Sequence, residues 1–356
     1  MNWPSTRLTE MLGIDYPLIQ APMAGGITTP ELIAAVSNAG GLGSLGAGYM
    51  TPGAIRDAIQ AIRELTDRPF AVNLFVPEPV REDATRIRQA HRLLAPLRSE
   101  MGLPEPEPLA SFGPNYADQL AVLIEESVEI VSFTFGVPGE HEMDTLKRLG
   151  ITTVGTATHM LEAILLEEAG LDLIVAQGME AGGHRGTFLG STEQGLQGAL
   201  ILLPLLVDQL RTPVIAAGGI MDGRGIAAAL MLGAAGAQMG TAFLATSESG
   251  AHPKYKEALL DSTELTTVLT RVFSGRPARG LRNRFVETLS AAEAELPGYP
   301  VQNALTRDIR RAAAERDLPE LMSLWAGMGC AMCRAEPAAE LVGRWLAQAG
   351  ELLSRA

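Results

Sequence analysis

Residues 213–241 read PVIAAGGIMDGRGIAAALMLGAAGAQMGT. A short apolar run, 213–217, ends in Gly218-Gly219. Asp222 then stands where a helix N-cap belongs, Ala-rich residues 223–232 follow, and Gly233 supplies a stop. A second apolar run, 236–240, comes next. This is the strand–loop–helix–strand unit of a parallel sheet, and the runs are apolar throughout because both faces of such a sheet are covered. The same unit recurs upstream. Candidate strands lie at 17–20, 42–45, 70–75, 129–134, 151–155 and 172–176. Thr29-Pro30 and Thr51-Pro52 each combine an N-cap with a proline at the first helical position. Eight strands alternating with helices predict an α/β chain folded as a (β/α)8 TIM barrel.

The alternation stops near residue 245. Residues 246–334 are richer in polar and charged groups and read as an added, mainly helical layer on the substrate side. Residues 335–356 return to an amphipathic helix, so the barrel is expected to comprise 1–245 plus 335–356. The Pro-rich, charged stretch 77–115 reads as a surface excursion.

Composition limits the function. The net charge of −13 gives no general attraction for nucleic acid or anionic lipid, and no basic run overturns it. The uncharged stretch 225–247 is built of Ala and Gly and interrupted by Gln238, Thr241 and Thr246, so it reads as helix, turn and buried strand rather than a membrane span. MNWPSTRLTEMLG has no apolar core of a signal peptide, and a cytoplasmic protein is expected. Cys330 and Cys333 are the only cysteines, which excludes a disulfide framework, and no second ligand pair accompanies them for zinc.

In a barrel of this kind, chemistry sits at the C-terminal ends of the strands, and phosphate is held after the seventh and eighth. Gly218 and Gly219 follow the seventh candidate strand, and Gln238-Met239-Gly240-Thr241 closes the eighth. Glycines there let a phosphate reach backbone N–H groups. Gly41–Gly46 fits G-x-G-x-x-G but follows a helix and runs through a strand, the wrong context for a dinucleotide site. The sixth strand runs into QGMEAGGHRG (177–186), where His184 lies in a Gly-rich loop at a strand end. With no metal cluster and no nucleophile motif, a bound organic cofactor is the expected source of the chemistry.

PLIQAPMAGGITTPELIAAVSNAGGLGSLGAGYMTP (17–52), FAVNLFVP (70–77), SFTFGVP (132–138), GTAT (155–158), IVAQGMEAGGHRGTF (174–188), the segment 213–249 and TRVFSGRPARGLRNRF (270–285) resemble class I nitronate monooxygenases, in order and over most of the chain. The resemblance implies an FMN-bound barrel that oxidises alkyl nitronates, such as propionate 3-nitronate, with O2 to a carbonyl compound and nitrite. NAD(P)H is not needed. It places FMN on Asn73, Gln177, Gly182, Gly219, Gln238, Met239, Gly240 and Thr241, with Pro22 and Met23 under the ring. It matches His184 to the active-site histidine and Tyr299 to a tyrosine near the flavin. His184 is then either a general base or an anchor for the substrate anion. Met328 stands where the family often has Gln, and His159 replaces a residue usually small or apolar.

Partners expected are a small nitronate and O2, with neither nucleic acid nor membrane, and a homodimer is left open. Rival readings are an FMN-dependent enoyl-ACP reductase or NADH:quinone reductase on the same scaffold, and a non-catalytic flavin-binding protein. Replacing both Cys330 and Cys333 with Ser is expected to leave turnover within a few-fold, with no zinc found by elemental analysis of the wild type. Stoichiometric zinc contradicts this reading.

Overall fold

A computed structural model describes residues 3, 5–80, 82–106 and 111–355. Its strands, in chain order, are β1 (Leu18–Gln20), β2 (Gly43–Gly46), β3 (Phe70–Phe75), β4 (Ile130–Thr134), β5 (Thr152–Ala157), β6 (Leu173–Gln177), β7 (Gly183–His184), β8 (Val214–Ala217), β9 (Gly236–Met239), β10 (Thr267–Thr270) and β11 (Ala278–Leu281). Eight of them pair in parallel in the order β1-β9-β8-β6-β5-β4-β3-β2. The ends meet at a parallel bridge between Ile19 and Leu42. There the Leu42 N–H donates to Leu18 O and the Gln20 N–H to Leu42 O, both at 2.9 Å. The TIM barrel expected from the sequence is therefore present.

Only this one bridge joins β1 to β2, and a side chain extends it. The fully buried Gln20 accepts the Ser44 N–H at 3.0 Å through Oε1. Its Nε2 donates to Ala21 O. The amide stands in for ladder bonds that the short β1 cannot supply.

Strand alternation splits the interior into two levels. Low in the barrel, Ile19, Ala71, Ile130, Val154, Leu173 and Ile215 point inward and form an apolar core. A helix at Arg7–Leu12 closes this end, with Leu8 and Leu12 joining the same core. Two residues further along three of these strands the inward positions become polar, Asn73, Ser132 and Thr156, and on β6 the change comes at Gln177, beyond the apolar Val175. The outward residues of the strands pack beneath the helices in a second, larger core. The last helix, Ala338–Leu353, lies against the helix at Gly223–Met231. There a Cβ on Gly223 would sit 2.2 Å from Trp345 O. The Glu248 carboxylate accepts the Ala338 N–H at 3.0 Å and starts that helix.

A third core lies above the strand ends. Phe273 and Phe285 stack there at 4.4 Å, alongside Leu259, Ile309 and Leu321. This layer is not purely helical. The antiparallel pair β10–β11 adds β7, which belongs to the loop after β6, to make a three-stranded sheet. The stretch 77–115 also contributes more than a surface excursion. Its helix Ala84–Glu100 places Ala90, Leu94 and Leu97 in the third core. The nearly buried Arg98 pairs with Asp308 at 2.7 Å. Among the described residues no helix is long and apolar enough to cross a membrane.

Gln20→Ala is expected to leave the fold intact and cost about 1–3 kcal/mol in denaturant unfolding, because the buried Ser44 N–H loses its acceptor. An unchanged unfolding free energy would show that β1 and β2 close without the amide.

Candidate active site

A cavity of about 710 Å³ opens at the C-terminal ends of the barrel strands. That volume falls within the usual range of cofactor and small-molecule sites. One end is made of backbone. Gly218 and Gly219 turn away from β8 with φ of +103° and +73°, a region that side chains rarely tolerate. Gly240 and Thr241 follow β9 beside them on the cavity wall. Among the described residues, no protein acceptor takes the N–H groups of Gly218, Gly219, Gly240 or Thr241. Thr241 Oγ1 accepts the Gly327 N–H at 3.0 Å. Gly182 packs directly on that backbone, since a Cβ would lie 2.5 Å from Gly327 N. Two loops distant in sequence thus meet without side chains between them.

The middle of the cavity carries Pro22, Met23, Asn73, Gln177 and Gln238. Asn73 Nδ2 donates to Ser132 Oγ at 3.0 Å and Thr134 Oγ1 at 3.2 Å, which leaves its Oδ1 as an acceptor. Gln177 is committed to the next loop. Its Nε2 donates to His184 O at 3.1 Å and its Oε1 accepts the Gly186 N–H at 2.8 Å. Met239 stands apart from the other expected residues: it does not line the cavity, its side chain is buried in the outer core beneath the helices, and its carbonyl accepts the Ala21 N–H at 2.8 Å. Gly327 and Gly329 line the cavity, whereas Met328, between them, donates its N–H to Glu180 O at 2.9 Å and does not.

His184 lies in β7, paired with Ala278 of β11. Its Nε2 is 2.8 Å from Ser274 Oγ. That hydroxyl donates to Arg276 O at 3.1 Å and accepts the Arg276 N–H at 3.3 Å. A hydroxyl has one hydrogen and two lone pairs. Placing the hydrogen on Arg276 O makes Nε2–H the donor to Ser274 and leaves the lone pair on Nδ1, whereas placing it on the shorter contact to Nε2 reverses the tautomer. Burial pushes the imidazole's pKa down to about 3, helped by the charges of Arg276 and Arg310. His184 is a neutral imidazole held against Ser274.

Around it stand Phe135, Tyr299 and Trp325, at ring-centroid distances of 5.9, 6.1 and 5.3 Å. Tyr299 sits behind the histidine rather than on the cavity wall. Phe135 has φ +77°, a strained backbone for a bulky residue that costs on the order of 1–3 kcal/mol. The Arg276 guanidinium lies 3.9 Å above its ring and pairs with Glu78 at 2.7 Å. Arg185, next to the histidine, is 1% exposed and donates to the carbonyls of Gly178, Gln177 and Gly195 at 2.7, 2.8 and 2.9 Å. Desolvation lowers its pKa to about 10. His159, by contrast, bonds Leu189 O at 2.9 Å in the barrel wall. Burial raises the Cys333 thiol to about 12, an unreactive state.

In 15N NMR, His184 is expected as a single neutral tautomer, without titration between about pH 5 and 8. In Ser274→Ala the tautomer signal should become mixed. A His184 that titrates near 6.5 contradicts the assignment.

Comparison with known proteins gives the family. The family model described as nitronate monooxygenase matches residues 5–348. A Staphylococcus saprophyticus protein named "Probable nitronate monooxygenase" is 44% identical over 353 residues, 99% of each chain. The crystal structure of nitroalkane oxidase from Streptomyces ansochromogenes superposes with a TM-score of 0.91 at 43% identity, covering 98% of this chain and 99% of that one. FabK from Thermotoga maritima follows at 0.78 and 32%, covering 99% and 98%. The chain is an oxidoreductase enzyme and belongs to the nitronate monooxygenase family.

Proposed function

We propose that the chain is an FMN-dependent monooxygenase that oxidises alkyl nitronates, propionate 3-nitronate among them, with O2 to a carbonyl compound and nitrite. The observation that carries this reading is the presence, in one cavity, of a neutral His184 held by Ser274 and of four backbone N–H groups that find no protein acceptor among the described residues. Those N–H groups, on Gly218, Gly219, Gly240 and Thr241, fit a phosphate. Asn73, Gln177, Gly182 and Gln238, with Pro22 and Met23, would hold the ring system, and Met239 would contribute through its main chain. FMN, when bound, supplies the electron acceptor for the substrate carbon and the reaction with O2.

The protein's own part is proton chemistry and exclusion of water. The free ring nitrogen of His184 takes the α-proton of a neutral nitroalkane while Ser274 holds the ring in place, and the negative charge formed on the adjacent nitronate offsets the burial and arginine charges that keep the imidazole neutral before the step. A nitronate, already without that proton, needs only to be bound. Phe135, Trp325 and Tyr299 keep the imidazole in apolar surroundings. In this reading residues 1–245 with 335–356 are the cofactor barrel and 246–334 the substrate-side layer, and the enzyme works in the cytoplasm.

An NADH-dependent reductase is the second reading, favoured by the likeness to FabK. O2 uptake and nitrite release with ethyl nitronate and propionate 3-nitronate, each with and without NADH, decide between them. Nitrite formation independent of NADH is expected, and strict NADH dependence rejects the monooxygenase. His184→Asn should lower oxidation of neutral nitroethane by about 10²–10⁴-fold and retain FMN, while preformed ethyl nitronate is still oxidised. Equal losses on both substrates would remove the base role.

A further inference from the structure

The helix Val301–Glu315 forms one wall of the cavity through Asn303, Arg307, Arg310, Arg311 and Ala314. Those positions fall at spacings of 4, 7, 8 and 11 from Asn303, a single helical face. Three neighbouring arginines on one face repel one another, and such pairs destabilise a helix. The chain as a whole carries −13, so the cluster runs against its overall charge.

Among the described residues no carboxylate neutralises it. Arg310 Nη2 donates to Asn303 O at 2.8 Å and Oδ1 at 2.9 Å, and its Nε to Thr306 Oγ1 at 3.2 Å. All of these acceptors are neutral, and Nη1 makes no protein hydrogen bond among the described residues. Among the described residues Arg307 reaches only Phe112 O, at 3.4 Å. Arg311 has Glu315 at 3.9 Å, in an exposed pair. Asp308, on the same helix, is taken by Arg98 at 2.7 Å. Elsewhere on the wall, His252 lies 3.4 Å from Asp317. His184 is uncharged, and Arg276, behind Phe135, already faces Glu78. The positive charge open to a bound molecule is therefore on this helix.

We propose that Arg310, flanked by Arg307 and Arg311, is the anion-recognition wall of the substrate site and selects negatively charged substrates over their neutral conjugate acids. The assignment rests on the monooxygenase reading for the identity of the substrate, but not for the binding of an anion. It divides the labour in the cavity: the histidine handles the proton and the arginines handle the charge. The recognised oxygens belong either to the nitronate group itself or to a carboxylate elsewhere on the substrate. Both present the planar, delocalised charge that a guanidinium fork matches.

The test compares kcat/KM for ethyl nitronate, the dianionic nitronate of 3-nitropropanoate and neutral nitroethane in the wild-type holoenzyme and in Arg310→Gln. The ratio of each anion to nitroethane is the readout, so a partly folded variant does not distort it. A fall of about 10–100-fold in both ratios places the nitronate group against Arg310. A fall in the dianion ratio alone places the carboxylate there. Either result supports the wall, and unchanged ratios overturn it. Because Arg310 also holds Asn303 and Thr306, the wild-type holoenzyme supplies a second measurement. Its anion ratios should fall as ionic strength rises, and a salt-independent ratio overturns the proposal. Calorimetry with nitrate, a planar anion that does not react, separates this inference from the functional reading. Nitrate should bind wild-type holoenzyme at least tenfold more tightly than Arg310→Gln, whether or not nitronates are turned over. Absence of nitrate binding to the wild type, or equal binding by both, overturns the assignment.

Discussion

The pairing of Gly183–His184 with Ala278–Arg279 holds the site together. It is a two-residue strand, yet it joins the loop after β6 to a sheet formed almost a hundred residues later. Once it forms, Ser274 comes within 2.8 Å of the imidazole and the Arg276 N–H within 3.3 Å of that serine. Arg185 is buried beneath it, its N–H bound to Pro277 O at 2.8 Å. Without this pairing the barrel would keep its strands, but the histidine would lose Ser274 as its partner.

Charge inside the molecule follows from desolvation. A buried guanidinium is stable only where several acceptors surround it. Arg185 finds three carbonyls, and Arg276 finds Glu78 and the face of Phe135. The imidazole has no acidic neighbour to favour its charged form, and the surrounding arginines disfavour that form further. A neutral imidazole therefore results from the surroundings rather than from anything intrinsic to histidine.

Much of the fold was legible in the sequence, because apolar runs between capped helices carry the barrel pattern on their own. The glycines at 218, 219 and 240, and His184, were legible because a barrel assigns meaning to positions at strand ends. What could not be read depended on the third dimension. An apolar run does not reveal which of its residues point inward, so the change from Ala71 to Asn73 inside β3 and the outward placement of Met239 were invisible. Ser274 acquires its role only through the β7–β11 pairing. Phe135 announces itself by its backbone conformation, which no local motif marked. The arginines of helix 301–315 resemble an ordinary solvated face until the cavity beside them is known. In 77–115, the Pro-rich, charged composition masked the Ala90, Leu94 and Leu97 stripe.

Glu248 brings three distant segments to one point. Its backbone carbonyl accepts the Thr29 hydroxyl at 2.6 Å, and its carboxylate starts the helix at Ala338. That helix covers the Gly223–Met231 surface, which is synthesised more than a hundred residues earlier. At ~5–20 residues per second, the surface waits on the order of ten seconds on the ribosome before its cover emerges. The nascent chain thus exposes an Ala- and Leu-rich helix face for longer than a small barrel unit takes to collapse. Shielding that face during translation is a demand that the finished enzyme, with the last helix in place, no longer displays.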